Sequence, residues 1–330
     1  MFNLLNLTTN YTFDILYLLI MMYDVSAILV NYNSSTFTIN CIDSILDQTS
    51  SKLKIQIIVV DNASTYEDYI SIKKKIQNLN LPSITLIRSR INTGFGGGNM
   101  LGIQHATAKY YAFINNDTLL KNDCLSIVYN FLEDTPDAAV CCPQQYNEHN
   151  EVQKSFDHFL SLRRELFGRK ILERLNPNKY PKRRKIYDTP IKVQSVPGSF
   201  LVANAVCFDK VGGFDTNIFL YYEETDLCYR ISKDDERWAS YLVPEARFTH
   251  FKGQSTSKSL AIKKELKISL LYVLKKNSGY VAYLVLRIWL TLKFLVKSFF
   301  SPKNFKLFIL FAKGAPLTES LKHRQILLKK

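Results

Sequence analysis

From Val25 onward the chain alternates short β-branched runs with longer runs of helical spacing, and few architectures accept that order. Val25–Val30 and Ile55–Val60 are apolar throughout or nearly so, as strands covered on both faces should be. Between them, Thr36–Gln48 sets Phe37, Cys41, Ile45 and Gln48 near one helical face. The pattern predicts further helices at Tyr66–Asn78, Asn99–Ala106 and Asp123–Glu133. It predicts further strands at Ile84–Ile87, Tyr110–Ile114 and Ala138–Cys142. Such alternation implies an α/β fold with an open, mostly parallel sheet and helices on both faces. Ligands bind such sheets at the carboxyl ends of the strands. The polar residues there carry the functional interest: Asn31, Tyr32 and Asn33, then Asp61 and Asn62, then Asn115, Asn116 and Asp117.

Charge is unevenly placed. The net charge is +14, yet Lys252–Lys330 holds 17 Lys/Arg against two acids, so the preceding residues are close to neutral. That distribution argues against a nucleic-acid groove on the main body and for an anionic partner of the tail. A second basic run, Arg163–Lys185, reads as a solvated surface loop, with contact to an anionic substrate or lipid as the sharper alternative. The six cysteines include no Cys-x-x-Cys pair, which opposes a zinc site and favours a reducing cytosol. The first Lys or Arg is Lys52 and the apolar run Ile15–Met22 is short, so neither a secretory signal nor a membrane span is expected there. Residues 1–23 are expected to lie upstream of the fold, with a weak membrane-touching segment as the alternative.

Four runs hold candidate chemistry. Asp61 ends an apolar strand, where its carboxylate can accept from a base edge or ribose hydroxyl, or cap the next helix through an Asx turn with Asn62 and Ser64. Asn92–Asn99 is glycine-rich, but Asn99 stands where a dinucleotide fingerprint needs glycine, and the run follows the third strand rather than the first. It offers a backbone that a ligand can approach, leading into a helix N-terminus. Tyr111–Thr118 is an apolar strand ending at Asp117, which suits an oxygen-liganded divalent cation beside a diphosphate, or a turn cap. Glu223, Glu224 and Asp226 crowd the start of a predicted helix, where repulsion and burial raise a carboxyl pKa toward that of a useful base. Asp226 and Arg230 also form an ordinary i,i+4 pair.

Six runs in order, VSAILVNYNSS, IIVVDNAST, NTGFGGGNMLGI, YAFINNDT, VGGFDTNIFLYYEETDLCYRI and VPEARFTHFKGQS, span Val25–Ser255. Together they resemble the family 2 glycosyltransferases with the GT-A (nucleotide-diphospho-sugar transferase) fold, especially the rhamnosyltransferase-like branch. The resemblance implies that Asn31 and Asp61 hold the nucleotide, with Asn92, Gly94, Asn115 and Asn116 near it. It implies Mg²⁺ or Mn²⁺ at Asp117 with His250, and Asp215 on the acceptor side. The base corresponds to Glu224, with Glu223 and Asp226 as alternatives. The motif Asn115-Asn116-Asp117 keeps one acid where the family has two, and Glu224 stands where Asp is usual. The implied activity is inverting transfer of a sugar, rhamnose from dTDP-rhamnose by preference, to a lipid-linked glycan in surface polysaccharide synthesis. A UDP-sugar donor (galactofuranose, galactose or N-acetylglucosamine) or a non-catalytic assembly protein are the alternatives.

The glycosyltransferase domain is expected over 24–255 and a basic amphipathic tail over 256–330. Gly279–Phe300 is apolar but carries Arg287, Lys293 and Lys297, the last two about 40° apart on a helical wheel. A helix lying in an anionic cytoplasmic leaflet fits better than a span, with packing on the main domain as the alternative. The enzyme is therefore expected on the inner face of the cell membrane.

Overall fold

The computed structural model describes residues 23–251 and 259–328. The expectation about residues 1–23 therefore lies almost wholly outside the described residues. Strands β1 (Tyr23–Asn31), β2 (Ile55–Asn62), β3 (Ile84–Ser89) and β4 (Ala108–Asn115) form a parallel block in the order β3-β2-β1-β4. The register aligns Asn31 with Asp61, Asp61 with Arg88, and Val30 with Asn115. The polar strand ends thus form one row along the carboxyl edge.

Beyond β4 the sheet becomes mixed. Strand β8 (Phe200–Asn204) lies antiparallel between β4 and β6 (Ala138–Tyr146), while β6 runs parallel to β9 (Ala239–His250). Strands β5 (Thr118–Leu120) and β7 (Ile191–Val193) add antiparallel to β9. The β6–β9 register breaks between Pro143 and Gln144. Proline there has no amide hydrogen for the ladder, so an irregularity is where a strand tolerates it.

Helices cover both faces, as expected. On one face, α1 (Ser35–Gln48), α2 (Tyr66–Leu79) and α4 (Cys124–Asp134) bury Cys41, Ile42, Ile45, Ile72, Leu125 and Val128 against the sheet. Asp123 caps α4 by accepting from Ser126 N–H at 3.2 Å. On the other face lie α3 (Gly94–Ile103), α7 (Ala205–Lys210) and α8 (Glu223–Asp234). Phe113, Phe208 and Phe214 meet there, with ring centroids 4.8 to 5.4 Å apart.

Helix α3 starts five residues before the sequence pattern predicts, and glycine packing is the reason. A Cβ on Gly98 would lie 2.8 Å from Val30 Cγ1, and one on Gly102 would lie 2.6 Å from Ile28 Cγ2. The bare helix face settles directly on β1 and β2, a tertiary gain that outweighs poor helix propensity. Gly102→Ala is expected to lose about 1–3 kcal/mol by overpacking despite alanine's better propensity. Urea denaturation of the two proteins checks this.

The run Arg163–Lys185 is not a simple solvated loop. It forms α5 (Leu162–Phe167) and α6 (Arg169–Leu175), and Arg164 is fully buried. Asp157 takes a two-pronged pair from Arg169 at 2.8 and 2.9 Å, and Arg183 lies 3.2 Å away. The inward arginines are neutralised by Asp157, Glu165 and Glu173.

The C-terminal region is half docked. Helix α9 (Leu260–Ser298) breaks at Gly279, whose φ of 85° and ψ of 172° end one helical stretch and start another. Its first half buries Ile268, Leu271, Val273 and Leu274 against Leu160 and Ile218 of the sheet domain. Its second half pairs with α10 (Pro302–Ala312) through Leu286, Leu290, Leu307 and Phe311. Arg287 donates to the carbonyls of Phe311 and Ala312 at 3.0 and 2.6 Å, satisfying the end of α10.

Candidate active site

A cavity of about 660 Å³ opens at the carboxyl edge of the parallel block. Its walls include Tyr32, Asn62, Asn92, Gly94, Asn115, Asn116, Glu223, Glu224 and His250. Seven of the twelve residues singled out from sequence for a site therefore share its surface.

Asn31 does not line it. Its amide nitrogen donates to Asp61, Ser64 and Asp68, and its oxygen accepts from Thr38 at 2.8 Å and Ser34 at 3.3 Å. Every polar atom is engaged, so Asn31 organises the row from beneath. Asp68, which the sequence reading missed, accepts from Asn31 at 2.7 Å and from Ser35 N–H at 2.8 Å. These bonds outweigh the upward pull of burial and hold its carboxyl below the usual range. Asp61 is fully buried, with Arg88 Nε 3.4 Å from Oδ2. Burial pushes its carboxyl up, although Ser64, Asn31 and Arg88 oppose this. Asn62 ties down the next loop, donating to Asn92 Oδ1 at 3.1 Å and Gly94 O at 3.0 Å, and accepting from Thr93 N–H at 3.0 Å.

The turn from β4 to β5 brings Asp117 against His250, because Thr118 pairs with His250 across β5 and β9. Asp117 is 2% exposed and neither carboxylate oxygen has a hydrogen-bond partner. His250 Nε2 stands 3.1 Å from Oδ1, and the contact lacks hydrogen-bond alignment. Asn116 turns the other way, donating to Ser34 Oγ at 2.7 Å and Thr38 Oγ1 at 2.8 Å. Among the described residues no group of three or more His, Cys, Asp or Glu forms a metal cluster. The set on hand is two buried, unsatisfied carboxylate oxygens and one imidazole. It fits a hard divalent cation whose other positions go to phosphate oxygens and water.

The acid cluster sits across a sharp bend. Tyr221 and Tyr222 both hold left-handed backbone, with φ of 75° and 73°, immediately before α8. The bend rests on Gly94: Phe95 N–H donates to Phe219 O at 3.0 Å, and a Cβ on Gly94 would lie 2.0 Å from that oxygen. The glycine is thus required for contact with the chain itself, where the sequence had suggested approach by a ligand. Glu223 is 1% exposed and its Oε1 is unpartnered. Burial, then the neighbouring Glu224 charge, pushes its carboxyl well above the ordinary range, and Glu265 adds to this. Glu224 is half-buried and lines the cavity, and desolvation raises its pKa to about 7.

Asp226 and Asp215 are drawn elsewhere. Arg230 and Lys276 reach Asp226 Oδ2 at 2.8 and 3.0 Å, and neither Asp226 nor Asp215 lines the cavity. Lys276 also pairs with Asp215 at 2.7 Å, where Tyr272 donates at 2.9 Å. Burial pulls the Asp215 carboxyl up, but Lys276, Asn217 and Tyr272 together hold it below its usual value. Through Lys276, Asp226 ties α9 to α8 and Asp215 ties it to the segment before α8. Lys154, Gln145, Leu321 and Gln325 also line the cavity, and no sequence pattern pointed to them.

A mixed sheet with a polar carboxyl edge, a buried aspartate–histidine pair and a raised acid pair across one cavity defines a GT-A glycosyltransferase fold. The pattern of glycosyl transferase family 2 matches residues 26–200, more than half of the chain, and the chain belongs to that family. Over 110 residues it is 32% identical to the N-acetylglucosaminyl-diphospho-decaprenol L-rhamnosyltransferase of Mycobacterium tuberculosis, covering 33% of this chain and 32% of that protein. The match therefore spans about a third of that relative's length. Over 201 residues it is 26% identical to the rhamnosyltransferase WbbL of Escherichia coli, covering 56% of this chain and 71% of that one. GalNAc-T7, solved with UDP, GalNAc and Mn²⁺, superposes with a TM-score of 0.54 at 14% identity, over 75% of this chain and 47% of that one. TarS 1–349 of S. aureus with UDP gives 0.51 at 16% identity, over 77% and 66%. At these identities the likeness to solved structures concerns the fold.

Proposed function

We propose that this chain transfers a sugar, rhamnose by preference, from a nucleoside diphosphate to a hydroxyl of a lipid-linked glycan, with inversion, during surface polysaccharide synthesis. The observation that carries this reading is the cavity itself, which Glu224 and His250 both line, with Asp117 3.1 Å behind the His250 ring. Glu224, with a pKa of about 7, is poised to accept the acceptor's proton near neutral pH. The freed oxygen attacks the anomeric carbon opposite the leaving diphosphate, through an oxocarbenium-like transition state. Burial and the Glu224 charge raise the Glu223 carboxyl, which favours its neutral form beside Glu224. Asp117 and His250 would hold Mg²⁺ or Mn²⁺, which when bound supplies positive charge to offset that on the departing diphosphate. The rhamnosyltransferase relatives support the choice of sugar. Incubation with dTDP-rhamnose, UDP-galactose, UDP-galactofuranose and UDP-N-acetylglucosamine, with Mn²⁺ and a polyprenyl-diphosphate-linked N-acetylglucosamine acceptor, tests it. Transfer from dTDP-rhamnose is expected, and transfer from a UDP-sugar instead reassigns the donor.

The C-terminal hairpin supports a membrane setting. Among the described residues α9 is the one helix long and apolar enough to cross a bilayer. Val281, Val296, Phe299 and Phe300 are 74, 61, 80 and 85% exposed, beside Lys293 and Lys297. Ile262, near the start of α9, and Leu321, after α10, line the same cavity, so the hairpin leaves and returns on one side. The return helix α10 has 11 residues. At about 1.5 Å per residue it covers ~17 Å, too short for a hydrocarbon core of ~30 Å. A hairpin seated in one leaflet, with lysines at the headgroups, satisfies both facts. Replacing Phe299 and Phe300 together by Ser is expected to weaken sedimentation with phosphatidylglycerol-rich vesicles at least roughly tenfold. Unchanged sedimentation would rule the hairpin out as the anchor.

A further inference from the structure

After the hairpin the chain returns to the active site and is fastened on both sides of it. At one end Ser320 Oγ and Leu321 N–H donate to the two oxygens of Glu265 at 2.8 and 2.7 Å, and Lys322 donates to Thr216 O at 2.6 Å. At the other end Leu328 N–H donates to Arg90 O at 2.7 Å, and Arg90 Nη2 donates to Leu328 O at 3.3 Å. Between these moorings Leu321 and Gln325 line the cavity that Asn62, Asn92, Glu223 and Glu224 also line. The far mooring is two residues before Asn92, on the loop that the Asn62 amide holds in place. The near mooring, Glu265, is 1% exposed and close enough for its charge to act on Glu223.

We propose that residues 321–328 form the outer wall of the donor site and that Gln325 contacts the bound nucleoside diphosphate. The inference rests on the nucleotide-sugar reading above. Gln325 Nε2 donates to Leu321 O at 2.9 Å, which orients the amide. Its Oε1 accepts no hydrogen bond among the described residues, and it suits a ribose hydroxyl or a base N–H. The neutral amide brings recognition without adding charge to a cavity that holds two carboxyls, and Leu321 adds an apolar surface to it. At Arg90 the strap is held by the Leu328 amide on the Arg90 carbonyl and by the Arg90 guanidinium on the Leu328 carbonyl, so on the strap's side the grip uses the Leu328 backbone and not its side chain.

Two variants of the full chain test this, with UDP and dTDP as probes in the presence of Mn²⁺. Gln325→Ala removes the contact, and Leu328→Pro removes the amide that donates to Arg90. Each is expected to raise the calorimetric Kd of the nucleotide roughly tenfold, the size of one lost polar contact. In the wild type, nucleotide is expected to slow tryptic cleavage after Arg324, and this protection should vanish in Leu328→Pro. Gln325 is on the surface of the strap, so its variant decides the matter even where the proline variant folds poorly. Wild-type affinity in Gln325→Ala together with unprotected cleavage in the wild type overturns the strap while leaving the donor reading intact. Wild-type protein that binds neither nucleotide overturns the donor reading and the strap with it.

Discussion

Glu224→Gln is expected to cut sugar transfer by about 10²–10⁴-fold, the range for removal of a general base, with nucleotide affinity unchanged. The pH profile adds a second signature. With the Glu224 pKa at about 7, wild-type kcat should climb through that value as the carboxyl loses its proton and level off above it. The residual activity of the variant should lack that limb. Stability moves the opposite way. A carboxyl raised from 4.5 to about 7 leaves the folded protein holding more protons than the unfolded chain between those values. Folding stability is therefore lost as pH rises across that window. Glu224→Gln should melt higher than wild type at pH 8, an active-site cost of the sort function imposes. Near-normal turnover of the variant would move the base to Glu223, whose deeper burial then has to be reversed by substrate.

Asp117→Ala carries the second large effect. Loss of several kcal/mol of charge stabilisation on the diphosphate, at about 1.4 kcal/mol per tenfold, predicts roughly a thousandfold fall in transfer. The test needs a readout independent of turnover. In titrations of Mn²⁺ followed by electron paramagnetic resonance with UDP present, wild type should sequester the ion and the variant should not. The melting temperature should hold or rise, because both Asp117 oxygens are buried without hydrogen-bond partners and their removal deletes a desolvation cost. Equal Mn²⁺ uptake by wild type and variant would show that Asp117 is a turn residue.

The parallel block was legible because β1 to β4 are read by local pattern: short β-branched runs with helical spacing between them. The antiparallel β8 was not, since Phe200–Asn204 is five residues with no flanking alternation, and its place between β4 and β6 is set by partners far along the chain. The start of α3 was misplaced for the converse reason, as tertiary contact at Gly98 and Gly102 overrode propensity. Within the site, the strand-end row and the acid cluster could be read. The hub role of Asn31 could not, because Asp68 lies 37 positions away. The division of labour among the carboxylates depended on Lys276, a tail residue that takes Asp215 and Asp226 out of the cavity wall. Contact between Leu328 and Arg90, 238 positions apart, leaves no trace in sequence spacing.

The hairpin that leaves beyond Ile262 and rejoins at Leu321 has a thermodynamic corollary. Both of its roots are set in the wall of one cavity, so in the membrane setting proposed above adsorption at a lipid surface and occupancy of that cavity would act on the same two points of the chain. Reciprocity then binds the two events: whatever factor a bilayer applies to nucleotide affinity, the nucleotide must return to bilayer affinity. In that proposed setting, donor binding and membrane binding would be coupled with no separate regulator required.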